Sequence, residues 1–247
     1  MKQMQNKRAV IIGATSGIGY ETAVRLVEKG WTVGVAGRRT EKLTEIQNMA
    51  PEKIHTRRID IRNHNAGDEL LALVNEMGGM ELFIQCAGIG YQNRELKAET
   101  ELETVGTNAE GFVRMMDAAF RYFTEKGGGH ICAVSSIAGT KGLGAAPAYS
   151  ATKRFQNIYI DCLEQLAYMQ RCPIKFTDIR PGFVATSLLN DGKHYPLLMD
   201  AKTVARKIVS AIERRRRVEI IDWRYKILVF FWRMIPRQVW KRLPVSN

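Results

Sequence analysis

AVIIGATSGIG, residues 9–19, is the segment from which the rest of the architecture can be worked out. Residues 9–12 form a short apolar run rich in Val and Ile, ended by Gly13, as in a buried strand. From 17 to 29, Ile18, Thr22, Ala23, Leu26 and Val27 recur at helical spacing, and Gly30 is a natural stop. A strand therefore enters a glycine-rich turn that opens a helix. Such a helix start offers unpaired N–H groups and a positive dipole end to an anion, and glycine lets the backbone come close.

Working outward, further strands are expected at 32–36, 54–60, 82–86, 130–135, 174–179 and 218–221. Helical patterns cover 40–49, 66–77, 99–126, 147–170, 203–214 and 223–235, and Pro236 can start one further turn. Short β-rich runs alternating with helices make right-handed βαβ units. They predict an α/β fold, a doubly wound parallel sheet of about seven strands with helices on both faces. A chain of 247 residues with 45% apolar content can bury this as a single domain spanning 1–247.

Composition removes several function classes. Cys86, Cys132, Cys162 and Cys172 form no CxxC pair and the four His have no ligand spacing, so neither a zinc site nor a disulfide framework is expected. The apolar run after the N-terminal MKQMQNKR breaks at Gly13, too early for a signal sequence, and free thiols suggest a cytoplasmic setting. The net charge is +12, of which residues 202–247 carry +10. A nearly neutral body with a basic end does not suggest a nucleic-acid partner.

The glycine loop reads GxxxGxG, with Gly13, Gly17 and Gly19 at the fixed positions and Thr15, Ser16 and Ile18 among those between. It lies where the pyrophosphate of a dinucleotide would sit, between strand and helix. At the end of the second strand, where a carboxylate would grip a ribose 2′-hydroxyl, stand Gly37, Arg38 and Arg39, with no acid before Glu41. An Arg fork suits a 2′-phosphate, so NADP(H) is favoured over NAD(H), with Arg38 better placed than Arg39. The plainer alternative is a solvated loop arginine.

A second stretch, SSIAGTKGLGAAPAYSATK at 135–153, carries proton chemistry. If the part after Pro147 is helical, Tyr149 and Lys153 share a face, and the ammonium biases the phenol toward ionisation. Tyr122 and Lys126 have the same spacing but close a helix at three glycines, with no hydroxyl-bearing segment before them, and read as structural.

These residues together resemble the short-chain dehydrogenase/reductase family, from about residue 8 to 186, and the resemblance implies a Rossmann-like fold. Gly13, Gly17 and Gly19 resemble its cofactor loop, and Asp60, followed by Ile61, its adenine-contacting acid. Ala87 and Gly88 match the end of its NNAG segment, and Asn108 its helix asparagine. Ser136 lies thirteen residues before Tyr149, and Tyr149 with Lys153 match YxxxK. Pro181, Gly182, Val184 and Thr186 belong to a segment similar to its PGxVxT, which flanks the nicotinamide.

The resemblance implies hydride transfer between nicotinamide and a small carbonyl or alcohol substrate. Tyr149 would be the general acid/base, assisted by Lys153, with Ser136 on the substrate oxygen. Asn108 would hold a water linking Lys153 to solvent. Ser135 would be the hydroxyl that caps backbone at the strand end. One departure is Cys86, in place of an Asn that ties neighbouring strands; a buried, inert thiol is expected there. The resemblance also implies a homodimer or homotetramer, for which Phe112, Met116, Phe120, Phe155 and Ile158 could supply apolar contacts, though core packing explains the same residues.

Residues 187–202 read as a substrate lid whose Leu and Met suit an apolar substrate or simply pack on the core. His194 and Tyr195 could line its mouth. In the basic segment 223–247, Leu228, Phe231, Trp232, Ile235 and Val239 align on one face and Lys226, Arg233, Arg237 and Lys241 on another. Packing on the substrate lobe or a partner subunit, or peripheral membrane contact, would use such a helix. The rival to an oxidoreductase is a cofactor-binding scaffold or sensor docked through that segment.

Overall fold

The computed structural model describes residues 7–186, 189 and 195–245. Among these the strands are β1 (Arg8–Ile12), β2 (Thr32–Gly37), β3 (Ile54–Arg58), β4 (Leu82–Gln85), β5 (Gly129–Val134), β6 (Ile174–Pro181), β7 (Val184–Ala185), β8 (Met199–Asp200) and β9 (Val218–Ile221). The helices are α1 (Gly17–Glu28), α2 (Thr40–Gln47), α3 (Ala66–Glu76), α4 (Ala98–Val105), α5 (Phe112–Lys126), α6 (Pro147–Met169), α7 (Ala201–Glu213), α8 (Trp223–Met234) and α9 (Arg237–Trp240).

Seven strands make one parallel sheet in the order β3-β2-β1-β4-β5-β6-β9, and β7 pairs β8 in a small separate ladder. The apolar run of β1 explains its central place. Ala9 to Ile12 have no exposed surface, and Ile12 pairs with Ala36 on one side and Gln85 on the other. Alternate β1 side chains feed opposite layers. Ile11 packs with Leu26 of α1, Val204 and Ile208 of α7 and Tyr225 of α8. Val10 and Ile12 pack with Leu70 of α3, Phe112 and Phe123 of α5 and Ile160 of α6. The chain turns to one side of β1 for β2 and β3 and to the other for β4 onward. This leaves a crevice at the carboxyl ends of β1 and β4.

The helix expected over 99–126 is interrupted. After α4 the backbone forms a π-helical turn at Gly106–Gly111 before α5, and Asn108 lies in it, fully buried. Phe112, Met116 and Phe120 are core residues, the second of the two readings open for them; Phe155 and Ile158, at 39% and 46% exposed, are on the surface. Tyr122, set aside above as structural, accepts a hydrogen bond from the Met80 N–H at 3.0 Å and fastens α5 to the turn before β4.

Of the proposed lid, Ser187, Leu188 and residues 190–194, His194 included, lie outside the described residues. Tyr195 is buried, tilted against Phe183 with ring centroids 4.9 Å apart. On α8 the inward face consists of Tyr225 and Val229 with Leu228 and Trp232 packed beside them, while Phe231 and Val239 are exposed, which corrects the single apolar face read from spacing.

Candidate active site

The glycine loop closes over the end of β1. Gly13 has φ +85°, and its N–H donates to the Ala36 carbonyl at 2.8 Å. A Cβ there would fall 2.5 Å from the Ala87 backbone nitrogen, so only glycine lets the loop lie this close to the end of β4. Thr186 reaches the same loop from the other side, its methyl 2.9 Å from where a Cβ of Gly17 would stand. Ser16 is the N-cap residue of α1 but makes no side-chain cap, leaving the first-turn N–H groups without that partner.

A cleft of about 420 Å³ opens here. It is lined by Gly13, Thr15, Ser16, Gly17, Ile18, Gly19, Arg38, Arg39, Asp60, Ile61, Ala87, Gly88 and Thr186. Glycine backbone, a helix start and two cations in one crevice suit a phosphorylated dinucleotide. Pro181, Gly182 and Val184 do not line this cleft. Pro181 ends β6 and Val184 is buried in the β7–β8 ladder.

The two arginines differ. Arg39, not Arg38, spans the loop: its Nη2 donates to Thr15 Oγ1 at 2.8 Å and Ser16 Oγ at 2.6 Å, and its Nε to Thr15 Oγ1 at 3.2 Å. Arg38 is exposed, with its charge near Asp60. Burial tends to raise the Asp60 pKa, but hydrogen bonds from Arg62 and the charges of Arg62 and Arg38 hold it below the usual value.

Tyr149 and Lys153 are one turn apart on α6, which begins at Pro147 as its fixed φ allows. The Lys153 Nζ lies 5.7 Å from the Tyr149 ring centroid. It donates to the Val134 carbonyl at the end of β5 and to Gln156 Oε1, each at 3.1 Å. Burial pulls its pKa down to about 8, opposed chiefly by the charge of Asp178. Burial raises the Tyr149 pKa, and a hydrogen bond with Ser136 only partly offsets this. The spacing argument expected the ammonium to lower that pKa; here desolvation is the larger effect.

Ser135 and Ser136 both bond to backbone, and the cap of the following turn is Ser136. Its Oγ accepts from the Ala138 N–H at 3.1 Å at the start of a 3₁₀ turn, Ile137–Thr140. Ser135 donates to Asp178 Oδ1 and accepts from Asn157 Nδ2 at 2.9 Å, and its Oγ lies 3.3 Å from the Ile179 carbonyl. Asp178 is fully buried and paired with Arg180 at 2.6 Å. The Asn108 side chain clamps Ile89, accepting its N–H at 2.9 Å and donating to its carbonyl at 2.6 Å.

Two features escaped the sequence reading. Gln156 joins the site by donating from Nε2 to the Asn108 carbonyl at 2.9 Å while accepting from Lys153, so a carboxamide bridges the ammonium and the Asn108 backbone. The hint was a polar residue on the buried face of α6. Gly90 lets the chain pass Tyr149, since a Cβ would stand 2.5 Å from the ring. Cys86 is free and lines the cleft, and desolvation pushes its pKa up to about 12, which keeps it a neutral thiol. Its neighbour Gln85 has a buried Oε1 with no partner among the described residues.

The sequence profile of the family described as short chain dehydrogenase matches residues 7–194. An uncharacterized oxidoreductase of Mycobacterium tuberculosis is 30% identical over 242 residues, covering 94% of this chain and 95% of that protein. One from Staphylococcus haemolyticus is 31% identical over 192 residues, covering 76% of this chain and 82% of that protein. Among solved structures, a variant of actinorhodin polyketide ketoreductase with NADPH superposes with TM-score 0.76 at 24% identity, covering 90% of this chain and 97% of that one. ElxO with NADP bound gives TM-score 0.76 at 22% identity, covering 88% and 98%. The chain belongs to the short-chain dehydrogenase family of oxidoreductases, acting at CH–OH or C=O groups.

Proposed function

We propose that the protein is an NADP-dependent oxidoreductase in which Tyr149 is the general acid/base for a carbonyl or alcohol substrate. The observation that carries this reading is the convergence of Ser136, Tyr149 and Lys153 beside a cleft whose rim holds Arg38 and Arg39. The bound nicotinamide supplies or accepts the hydride. Tyr149 gives its proton to the substrate oxygen in reduction and takes it back in oxidation. Ser136 shares a hydrogen bond with that phenol and donates to the same oxygen as charge develops. Lys153, charged below about pH 8, stabilises the phenolate across the 5.7 Å to its ring. Arg39, already on Thr15 and Ser16, and Arg38 receive the 2′-phosphate. The exposed parts of α6, including Phe155 and Ile158, are suited to contact between copies in a homo-oligomer.

NADPH consumption with a panel of aldehydes and ketones tests the activity. Tyr149→Phe is expected to lower turnover at least about a hundredfold while NADPH still binds, the scale of a lost general acid. An active mutant would overturn the assignment of Tyr149. Tight NADPH binding by the wild type without turnover on any substrate would favour a sensor. For the cofactor, Arg39→Ala and Arg38→Ala should each weaken NADPH by roughly tenfold or more and leave NADH nearly unchanged, since a charge-assisted bond is worth about 1.5–3 kcal/mol. Equal losses for both nucleotides would refute the phosphate role.

A further inference from the structure

The inward face of α8 is covered by the core: Tyr225 and Val229 are buried. Its opposite face is apolar as well. Trp223, Ile227, Phe230, Phe231 and Met234 stand at i, i+4, i+7, i+8 and i+11, so they form one stripe, and each is between 50% and 65% exposed. Scattered exposed apolar residues are ordinary on a protein surface, but five large ones in register are not.

Cations flank this stripe. Residues 223–247 hold six Lys or Arg and no acidic residue. Arg224 and Lys226 turn back to Asp222 and Glu219. Arg233, Arg237, Lys241 and Arg242 meet no carboxylate among the described residues. The segment is also held in shape. Trp240 of α9 packs on Trp232 with centroids 5.5 Å apart, and its Nε1 donates to the Gly142 carbonyl at 2.8 Å, while Lys141 Nζ donates to the Ile235 carbonyl at 2.7 Å. From the inner face, the Tyr225 hydroxyl accepts from the Phe183 N–H at 3.1 Å and donates to the Pro196 carbonyl at 3.0 Å. The helix and α9 are thus tied to the loop before α6 and to the segment around Phe183 and Pro196.

We propose that the outward face of α8, with α9, docks on an anionic phospholipid bilayer. Apolar side chains in a helical stripe enter the acyl boundary while flanking cations meet lipid phosphates. No helix among the described residues is long and apolar enough to cross a membrane, so this helix lies in the interface. A second copy seated face to face would set these cations against their own kind, which argues for an anionic occupant. Resting on the oxidoreductase reading, the ties through Tyr225 and Trp240 would bring the substrate side near the lipid, where apolar carbonyl compounds concentrate.

Co-sedimentation of the full chain with vesicles of phosphatidylcholine alone, and with phosphatidylglycerol added, tests the docking without substrate or turnover. A protein that is inactive yet binds would therefore separate the two proposals. Binding at least roughly tenfold stronger to the anionic vesicles, weakened by salt, is expected. The Phe230→Ser/Phe231→Ser variant should lose it with NADPH binding and melting temperature unchanged, and Arg233→Glu/Arg237→Glu should lose the preference for anionic lipid. The proposal is overturned if the wild type binds neither vesicle, or if the folded Ser variant binds as well as wild type. It is equally overturned if sedimentation velocity shows the Ser variant dissociating from an oligomer that does not bind vesicles, which would make the face a subunit contact.

Discussion

Gln156 stands three residues beyond Lys153 on α6, and its carboxamide satisfies the ammonium at one end and the Asn108 carbonyl at the other. Because an amide is neutral, it leaves burial to set the Lys153 pKa near 8. Gln156→Glu would add a negative charge at that site, and an opposite charge favours the protonated ammonium, so the Lys153 pKa rises. If the ammonium is needed for turnover, activity lost above about pH 8 in the wild type should persist to higher pH in this variant. Gln156→Leu would take away one of the two acceptors of Lys153 and the side-chain donor to the Asn108 carbonyl, costing about 1–3 kcal/mol of stability and lowering kcat. The pH–rate profiles and urea midpoints check both, and an unmoved alkaline limb in the Glu variant would refute the coupling. Tyr149, Lys153 and Ser136 could be found in the sequence because they lie within one segment. The Gln156–Asn108, Arg39–Thr15 and Ser135–Asp178 contacts could not, because each joins separate elements across the site.

α7 shows how an element is started and held. The Asp200 side chain accepts the Thr203 N–H at 2.7 Å, and the helix then buries Val204, Ile208 and Ile212 in the layer shared with α1. Asp200→Ala should cost about 1 kcal/mol and Asp200→Asn much less, since amide oxygen caps nearly as well. A lower urea midpoint with unchanged slope would be the sign of it. Apolar periodicity placed the seven sheet strands and the long helices to within a few residues, because burial on one or both faces imposes that pattern. The π turn at Gly106–Gly111 keeps nearly helical spacing and carries no separate signal. Likewise α8 has two apolar faces, and only the packing of Tyr225 and Val229 shows which one the core uses.

At the scale of the whole molecule, the sheet order puts the ends of β1, β4, β5 and β6 along one edge, and the glycine loop, Ala87, Ser136 and Pro181 follow those ends. The same order gathers residues from 13 to 186 around a single crevice. By itself the sequence determined the parallel α/β class and the glycine turn through periodicity and spacing, while the Tyr149–Lys153 pair with its serine was singled out by the family resemblance. The tertiary structure decided which arginine spans the loop, which serine caps the turn after β5, and that burial raises the Tyr149 pKa. It also decided which face of α8 is left bare. Those outcomes depend on desolvation and on contacts between segments far apart in the chain, which local spacing does not encode.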